Sequence, residues 1–256
     1  MKEGEITMEN RNSAFCVRLA DVVIGIEPMY PYLQEYCKDY IVEDTPEFVV
    51  RSEPEDIRRE REASDREAAI EGHPPVDYAD AYLETLAVYR KIAERLLERN
   101  ILLFHGSVIA VDGEGYLFTA KSGTGKSTHT KLWRQLFGER AVMVNDDKPL
   151  LRLTEREVIV YGTPWAGKHN LNKNISVPLA GLCVLERAEK NYIRQVVPRD
   201  IYGMLLQQAY RPAKAEAMQQ TLSLVDRLMT NVKMYRLGCN MELEAAQVAY
   251  TGMRGE

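Results

Sequence analysis

The segment Ala120-Lys121-Ser122-Gly123-Thr124-Gly125-Lys126-Ser127-Thr128 constrains this chain more than any other part of it. The apolar run Tyr116-Leu117-Phe118-Thr119 precedes it, and a helix-compatible stretch, Lys126 to Leu136, follows. Strand, tight loop and helix start, in that order, form the context in which a protein backbone grips a polyphosphate. Gly123 and Gly125 let successive N–H groups turn inward with no Cβ in the way, and the positive end of the helix reinforces them. The expected phosphate-binding set is Ser122, Gly123, Thr124, Gly125, Lys126, Ser127 and Thr128. Lys126 reaches the terminal phosphates and the Ser127 hydroxyl ligates Mg²⁺. One position departs from the pattern G-x-x-x-x-G-K-[ST]: Ala120 stands where the first glycine is usual, which adds a methyl group at the loop entry.

Two further groups can join this loop. Asn145-Asp146-Asp147 ends an apolar run downstream of Lys126. One carboxylate there can lie beside Ser127 and hold the metal, and the other can accept the proton of an attacking hydroxyl. His105-Gly106-Ser107 ends a strand-like run upstream, and Gly106 permits a bend that turns the imidazole toward the same cleft. Taken alone, the aspartates read as turn residues and the histidine as a structural one; the phosphate loop between them favours chemistry.

These motifs in this order, His105-Gly106, Gly115-Tyr116-Leu117-Phe118, Ser122 to Ser127 and Asp146-Asp147, resemble the catalytic core of HPr kinase/phosphorylase. They are also similar to the nucleotide-binding core of ATP-dependent phosphoenolpyruvate carboxykinase. The resemblance covers residues 101–150, and residues 1–100 have no counterpart in it. It implies an α/β fold with a phosphate-loop kinase core, ATP and Mg²⁺ as cofactors, and Lys126, Asp146, Asp147 and His105 as catalytic residues. Ser127, Asp146 and Asp147 are the implied metal ligands, with the division of labour between the aspartates open.

The implied activity is transfer of the ATP γ-phosphoryl group to a hydroxyl, such as a serine of a protein, a peptide or a free amino acid. Carboxykinase chemistry is the alternative. It is disfavoured because the chain is short for such an enzyme and offers no recognisable arginine set for a substrate carboxylate. An ATP-binding sensor without turnover is disfavoured because Lys126, Ser127 and both aspartates are all present. Downstream, the loop Gly162 to Asn172 is dense in hydrogen-bond donors and has glycine hinges. Lys168, His169 and, beyond it, Arg187 are candidate contacts to an acidic acceptor or to phosphate.

The rest of the chain frames this core. Strands are expected within Ala14–Ile26 and at Phe48–Val50, and a charged helix is expected from a capping box at Ser52–Glu55. An amphipathic helix is expected through Tyr78, Tyr82, Leu86, Tyr89, Ala93 and Leu96. From Ile101 the pattern becomes strands and hairpins, then helices over Asp200–Tyr210, Ala213–Leu228 and Glu242–Tyr250. Residues 1–99 are read as a small α+β accessory region and residues 100–256 as the kinase core. A formal charge of −5 argues against a general nucleic-acid or anionic-membrane binder. Four scattered cysteines with no C-x-x-C pair point to reduced thiols, and the charged start Met1 to Glu5 lacks the apolar region of a signal peptide. A cytoplasmic protein is expected, with a homo-oligomer left open.

Overall fold

In the computed structural model, residues 13–255 are described, apart from Ser122 and Lys168. Those two candidate residues and the charged N-terminus therefore lie outside the described residues. The chain divides into two compact units between Ile92 and Ala93. Both mix helices with sheets, so the α/β class expected from the sequence is the class observed.

In the first unit, β1 (Phe15–Leu19) and β2 (Val22–Glu27) form a hairpin through Ala20 and Asp21, both at positive φ. Their neighbours are β3 (Ile41–Val42), after the short helix α1 (Tyr32–Tyr36), and β4 (Phe48–Arg51), which runs parallel to β2. Neither α1 nor β3 is legible from periodicity, being too short to show one. Helix α2 (Pro54–Glu71) begins one residue later than the expected capping box. Pro54, which has no N–H to satisfy, takes the first helical position, and the Glu53 N–H donates to Asp56 Oδ2 at 2.9 Å. The Ser52 hydroxyl instead donates to the buried Glu84 of α3 (Asp80–Leu96), whose carboxylate also accepts the Met29 and Tyr30 N–H groups.

The second unit is built on one large sheet. Its strands are β5 (Ile101–Leu103), β6 (Ser107–Val111), β7 (Glu114–Thr119), β8 (Ala141–Asn145), β9 (Leu150–Leu153), β10 (Val158–Tyr161), β11 (Ser176–Arg187), β12 (Tyr192–Gln195) and β13 (Met234–Cys239). The path β5-β9-β10-β11-β7-β6-β8 is extended by β13, which pairs with β11 and β12. β6 and β7 meet at Asp112-Gly113, whose φ values of 53° and 86° suit the right-handed twist of a two-residue hairpin.

Alternate residues of the strands face opposite layers. Ile109, Tyr116, Phe118 and Leu237 pack under α4 (Lys126–Phe137) and α7 (Glu244–Arg254) through Trp133, Ala249 and Tyr250. Val108, Leu117, Val184 and Met234 pack under α5 (Tyr202–Gln208) and α6 (Ala215–Asn231) through Leu205, Leu224 and Leu228. No helix among the described residues is long and apolar enough to cross a membrane. All four cysteines are free.

Strand direction is what positions the site. β7 runs parallel to β11, and β11 parallel to β13. β6 is antiparallel to both β7 and β8, so β8 runs with β7. The carboxyl ends of β7, β8, β11 and β13 therefore share one edge of the sheet, and the antiparallel β6 starts there. Open α/β sheets bind their ligands at that edge.

Candidate functional site

The loop after β7 takes the conformation its glycines permit. Gly123 has φ 71° and Gly125 φ 119°, both in the left-handed region that a Cβ disfavours. The Thr124 N–H donates to the Lys121 carbonyl, and the His129 N–H donates to the Gly125 carbonyl as α4 begins. No described residue accepts from the N–H groups of Gly123, Gly125, Lys126 or Ser127. Ser127 and Thr128 are exposed. A row of amides with no acceptor among the described residues, at a helix start, suits an anion, so the residues present fit a bound phosphate chain. Ala120 is buried, and its methyl group faces the core rather than the loop cavity.

Lys126 is half-buried, and its ammonium finds no ion-pair or hydrogen-bond partner among the described residues. Burial draws its pKa below the ordinary lysine value, and the charge of Asp147 opposes that shift. A half-buried cation within electrostatic range of a carboxylate suits an anionic ligand.

Across the edge from the loop, the end of β8 forms a cross-braced turn. The Asn145 side chain is wholly buried; its Oδ1 accepts the Asp147 N–H at 2.8 Å and the Lys148 N–H at 2.7 Å. Its Nδ2 donates to the Thr163 hydroxyl at 3.1 Å and approaches the Thr163 and Trp165 carbonyls at 3.2 and 3.3 Å. Asn145 thus presents both aspartates and ties them to the loop that follows β10. Its position in Asn145-Asp146-Asp147 was visible in the sequence, but its brace depends on residues far along the chain.

The two aspartates sit in different surroundings. Asp146 is buried, and its Oδ1 accepts the Gly167 N–H at 2.6 Å. Burial raises its pKa and the adjacent Asp147 adds to the rise, against the backbone N–H bond from Gly167. Asp147 Oδ1 lies 3.2 Å from His105 Nε2, and Oδ2 lies 3.8 Å from Lys148 Nζ. Burial pushes Asp147 up, but the hydrogen bond from His105 and the charges of Lys148, His105 and Lys126 outweigh it and hold Asp147 below the ordinary carboxylate range. His105 is placed by its N–H to the Gln208 carbonyl at 2.7 Å and by its carbonyl, which accepts from the Thr119 hydroxyl at 3.1 Å. Gly106 follows at a tight crossing, with its N–H on the Asp147 carbonyl. The structure therefore brings His105, Lys126 and Asp147 together.

The loop from Gly162 to Asn172 is less open than its composition suggests. Trp165 is 1% exposed, and the Asn172 Nδ2 is spent on the Thr163 carbonyl at 2.7 Å. Gly162 is required by close approach: a Cβ there would lie 1.8 Å from the Lys173 carbonyl oxygen and 2.6 Å from that of Val144. His169 is exposed. Arg187, at the end of β11, donates to the Gly123 carbonyl at 2.7 Å and so touches the phosphate loop rather than pairing with Glu189. Among the described residues no cluster of three or more His, Cys, Asp or Glu could hold a metal alone. Mg²⁺ in phosphoryl-transfer sites is bound by one or two protein oxygens plus phosphates and water, and Ser127 with the aspartates offers that donor set.

No family model matches the chain, and no curated protein matches it. Among solved structures, it is similar to the HPr(Ser) kinase/phosphatase from Coxiella burnetii, at 10% identity, over 60% of this chain and 97% of that one, with a TM-score of 0.34.

Proposed function

We propose that the chain is an ATP-dependent, Mg²⁺-requiring kinase that phosphorylates a hydroxyl, with a serine of a protein, peptide or free amino acid as the favoured acceptor. The observation that carries this reading is the meeting of the half-buried Lys126, which has no ion-pair partner among the described residues, with Asp147 and His105 at the edge where the phosphate loop opens. Bound Mg-ATP would supply the phosphoryl group, with the metal shielding its charge. The amides of Gly123 to Ser127 would hold the phosphate chain, and Lys126 would neutralise charge gathering on the transferring group.

Asp147, kept ionised and oriented by His105, suits the role of receiving the acceptor's hydroxyl proton. Asp146, aligned by the Gly167 N–H, suits the metal together with Ser127. Phosphoryl transfer asks mainly for positioning and electrostatics, and the braces from Asn145 and Gln208 supply the positioning. The test is turnover of Mg-ATP by Lys126→Ala. Removing this charge should reduce turnover by roughly two orders of magnitude or more, since it acts on charge that develops in the transition state. A folded variant with undiminished turnover would refute the assignment.

A further inference from the structure

The carboxyl edge of the sheet has a direction. In order it presents the ends of β8, the start of β6, and the ends of β7, β11 and β13. The reacting groups Asp146, Asp147 and His105 stand at β8 and β6, on one side of the phosphate loop. Arg187 stands on the other side, its guanidinium on the Gly123 carbonyl at 2.7 Å. A nucleotide is an unbranched chain. If its terminal phosphate meets Lys126 and Asp147, its opposite end leaves the loop toward β11 and β13.

Strand alternation settles which face it follows. Cys183 and Leu185 lie on the face covered by α4 and α7, so Arg187 projects on that side, as does Cys239 after Tyr235 and Leu237. The path from the loop therefore leads between the starts of α4 and α7, to the turn that joins β13 to α7. At that turn stand Met241, 78% exposed, and Leu243, 44% exposed.

Two other large apolar residues of this unit are exposed among the described residues, and neither lies at this edge on this face. Tyr192 lies over Gly238 on the opposite face, bonded to Glu186, and Val197 follows Val196, whose N–H meets the Met234 carbonyl at the far end of β13. The apolar tip is also held firmly. The Asn240 N–H donates to Asn191 Oδ1 at 3.0 Å, Asn240 Nδ2 donates to the Glu189 carbonyl at 3.1 Å, and Asn240 Oδ1 accepts the Glu242 N–H at 3.0 Å. Asn191 Nδ2 in turn donates to Glu244 at 2.7 Å.

We propose that this turn, through Met241 and Leu243, receives the base of the nucleotide whose phosphates the loop binds. The inference rests on the phosphate-loop reading and adds the end of the ligand which that reading leaves open. A flat base offers an apolar face at the end of a charged chain, and thioether and branched aliphatic side chains on a rigid turn are suited to cover such a face. Arg187 marks the passage from the phosphate part of the site to the nucleoside part.

The test compares two ligands in the presence of Mg²⁺ by calorimetric titration: a non-hydrolysable ATP analogue and inorganic tripolyphosphate, which has the phosphate chain and no nucleoside. The variant is Met241→Gln/Leu243→Asn, at two exposed positions where the fold asks little of the side chain. The expected result is an analogue affinity weakened by about five- to tenfold, from the apolar area a base would cover on two side chains, with tripolyphosphate affinity unchanged. Equal weakening of both ligands overturns the proposal, because the turn would then act through the loop. Unchanged analogue affinity overturns it too, and a concurrent drop in sedimentation mass would assign the apolar pair to contact between copies of the chain. If the unaltered protein binds tripolyphosphate, the phosphate-loop reading survives either of those failures; if it binds neither ligand, both readings fall.

Discussion

Burial of His129 sets a pH dependence for the stability of the second unit. The side chain sits on α4, directly after the phosphate loop, and is 2% exposed. Its Nε2 accepts from Trp133 Nε1 at 3.0 Å, its ring meets Phe118 edge-on at 4.6 Å, and Nδ1 has no hydrogen-bond partner among the described residues. Desolvation of the imidazolium lowers its pKa from 6.5 to about 4. The native ring is therefore neutral at pH values where the unfolded one takes up a proton.

Stability is thus full above the unfolded value of 6.5, falls as the pH drops through it, and stops falling from this cause near pH 4, where the native ring protonates as well. A drop from 6.5 to about 4 corresponds to about 3 kcal/mol, a large share of the ~5–15 kcal/mol of a typical domain. Urea unfolding followed by tryptophan fluorescence reports this unit, since Trp133 and Trp165 are the protein's two tryptophans and both are buried in it. His129→Gln keeps an acceptor for Trp133 and has no proton to gain. Between pH 7 and pH 4 the parent should lose about 3 kcal/mol more than the variant. Parallel stability curves for the two proteins would refute the burial argument.

Other expectations concern the site. Asp147→Asn should keep nucleotide binding while cutting phosphoryl transfer, since an amide cannot take the proton, whereas Asp146→Asn should raise the Mg²⁺ concentration needed for turnover; equal and full activity of both would move the chemistry elsewhere. Gly162→Ala sets a methyl group against two backbone carbonyls, which ought to destabilise the second unit by about 2 kcal/mol or more in urea titrations. A neutral outcome would mean that the loop lies farther from β8 than described. Lys168→Ala, if the loop beyond β10 meets the acceptor, should change the acceptor's KM or kcat and leave ATP-analogue affinity intact in calorimetry; a large loss of analogue affinity would place the loop at the nucleotide.

Local physics made much of this protein legible in advance. Glycines at 123 and 125 flanked by a strand-like run and a helix-like one announce the loop because backbone sterics act within a few residues. Asp112-Gly113 announces its hairpin for the same reason, and the nearly unbroken apolar runs within Ser107–Val111 and Glu114–Thr119 mark strands covered on both faces. The amphipathic pattern of α3 also holds: Tyr89, Ala93 and Leu96 are buried as expected, joined by Leu83, Val88 and Ile92, whereas Tyr78 and Tyr82 are not. What sequence alone could not supply are the pairings between distant segments. β9 carries no periodic signal of its own and becomes a strand because β5 and β10 flank it.

The same division runs through the site. The residue types of a phosphoryl-transfer centre could be read along the chain, because a lysine, a serine and two aspartates have a fixed chemistry wherever they stand. Their inequality could not. Asp146 and Asp147 are adjacent in sequence, yet one meets the Gly167 amide and the other His105, so burial lifts the first pKa while neighbouring charges lower the second. Trp165 belongs to the loop that reads as dense in donors and is a core residue, and Arg187, a candidate contact to phosphate or acceptor, is held on the Gly123 carbonyl. Conformational preference and chemical type are properties of a residue and its immediate neighbours, whereas desolvation and charge partnership depend on what the folded chain packs around it, and only the tertiary structure decides that.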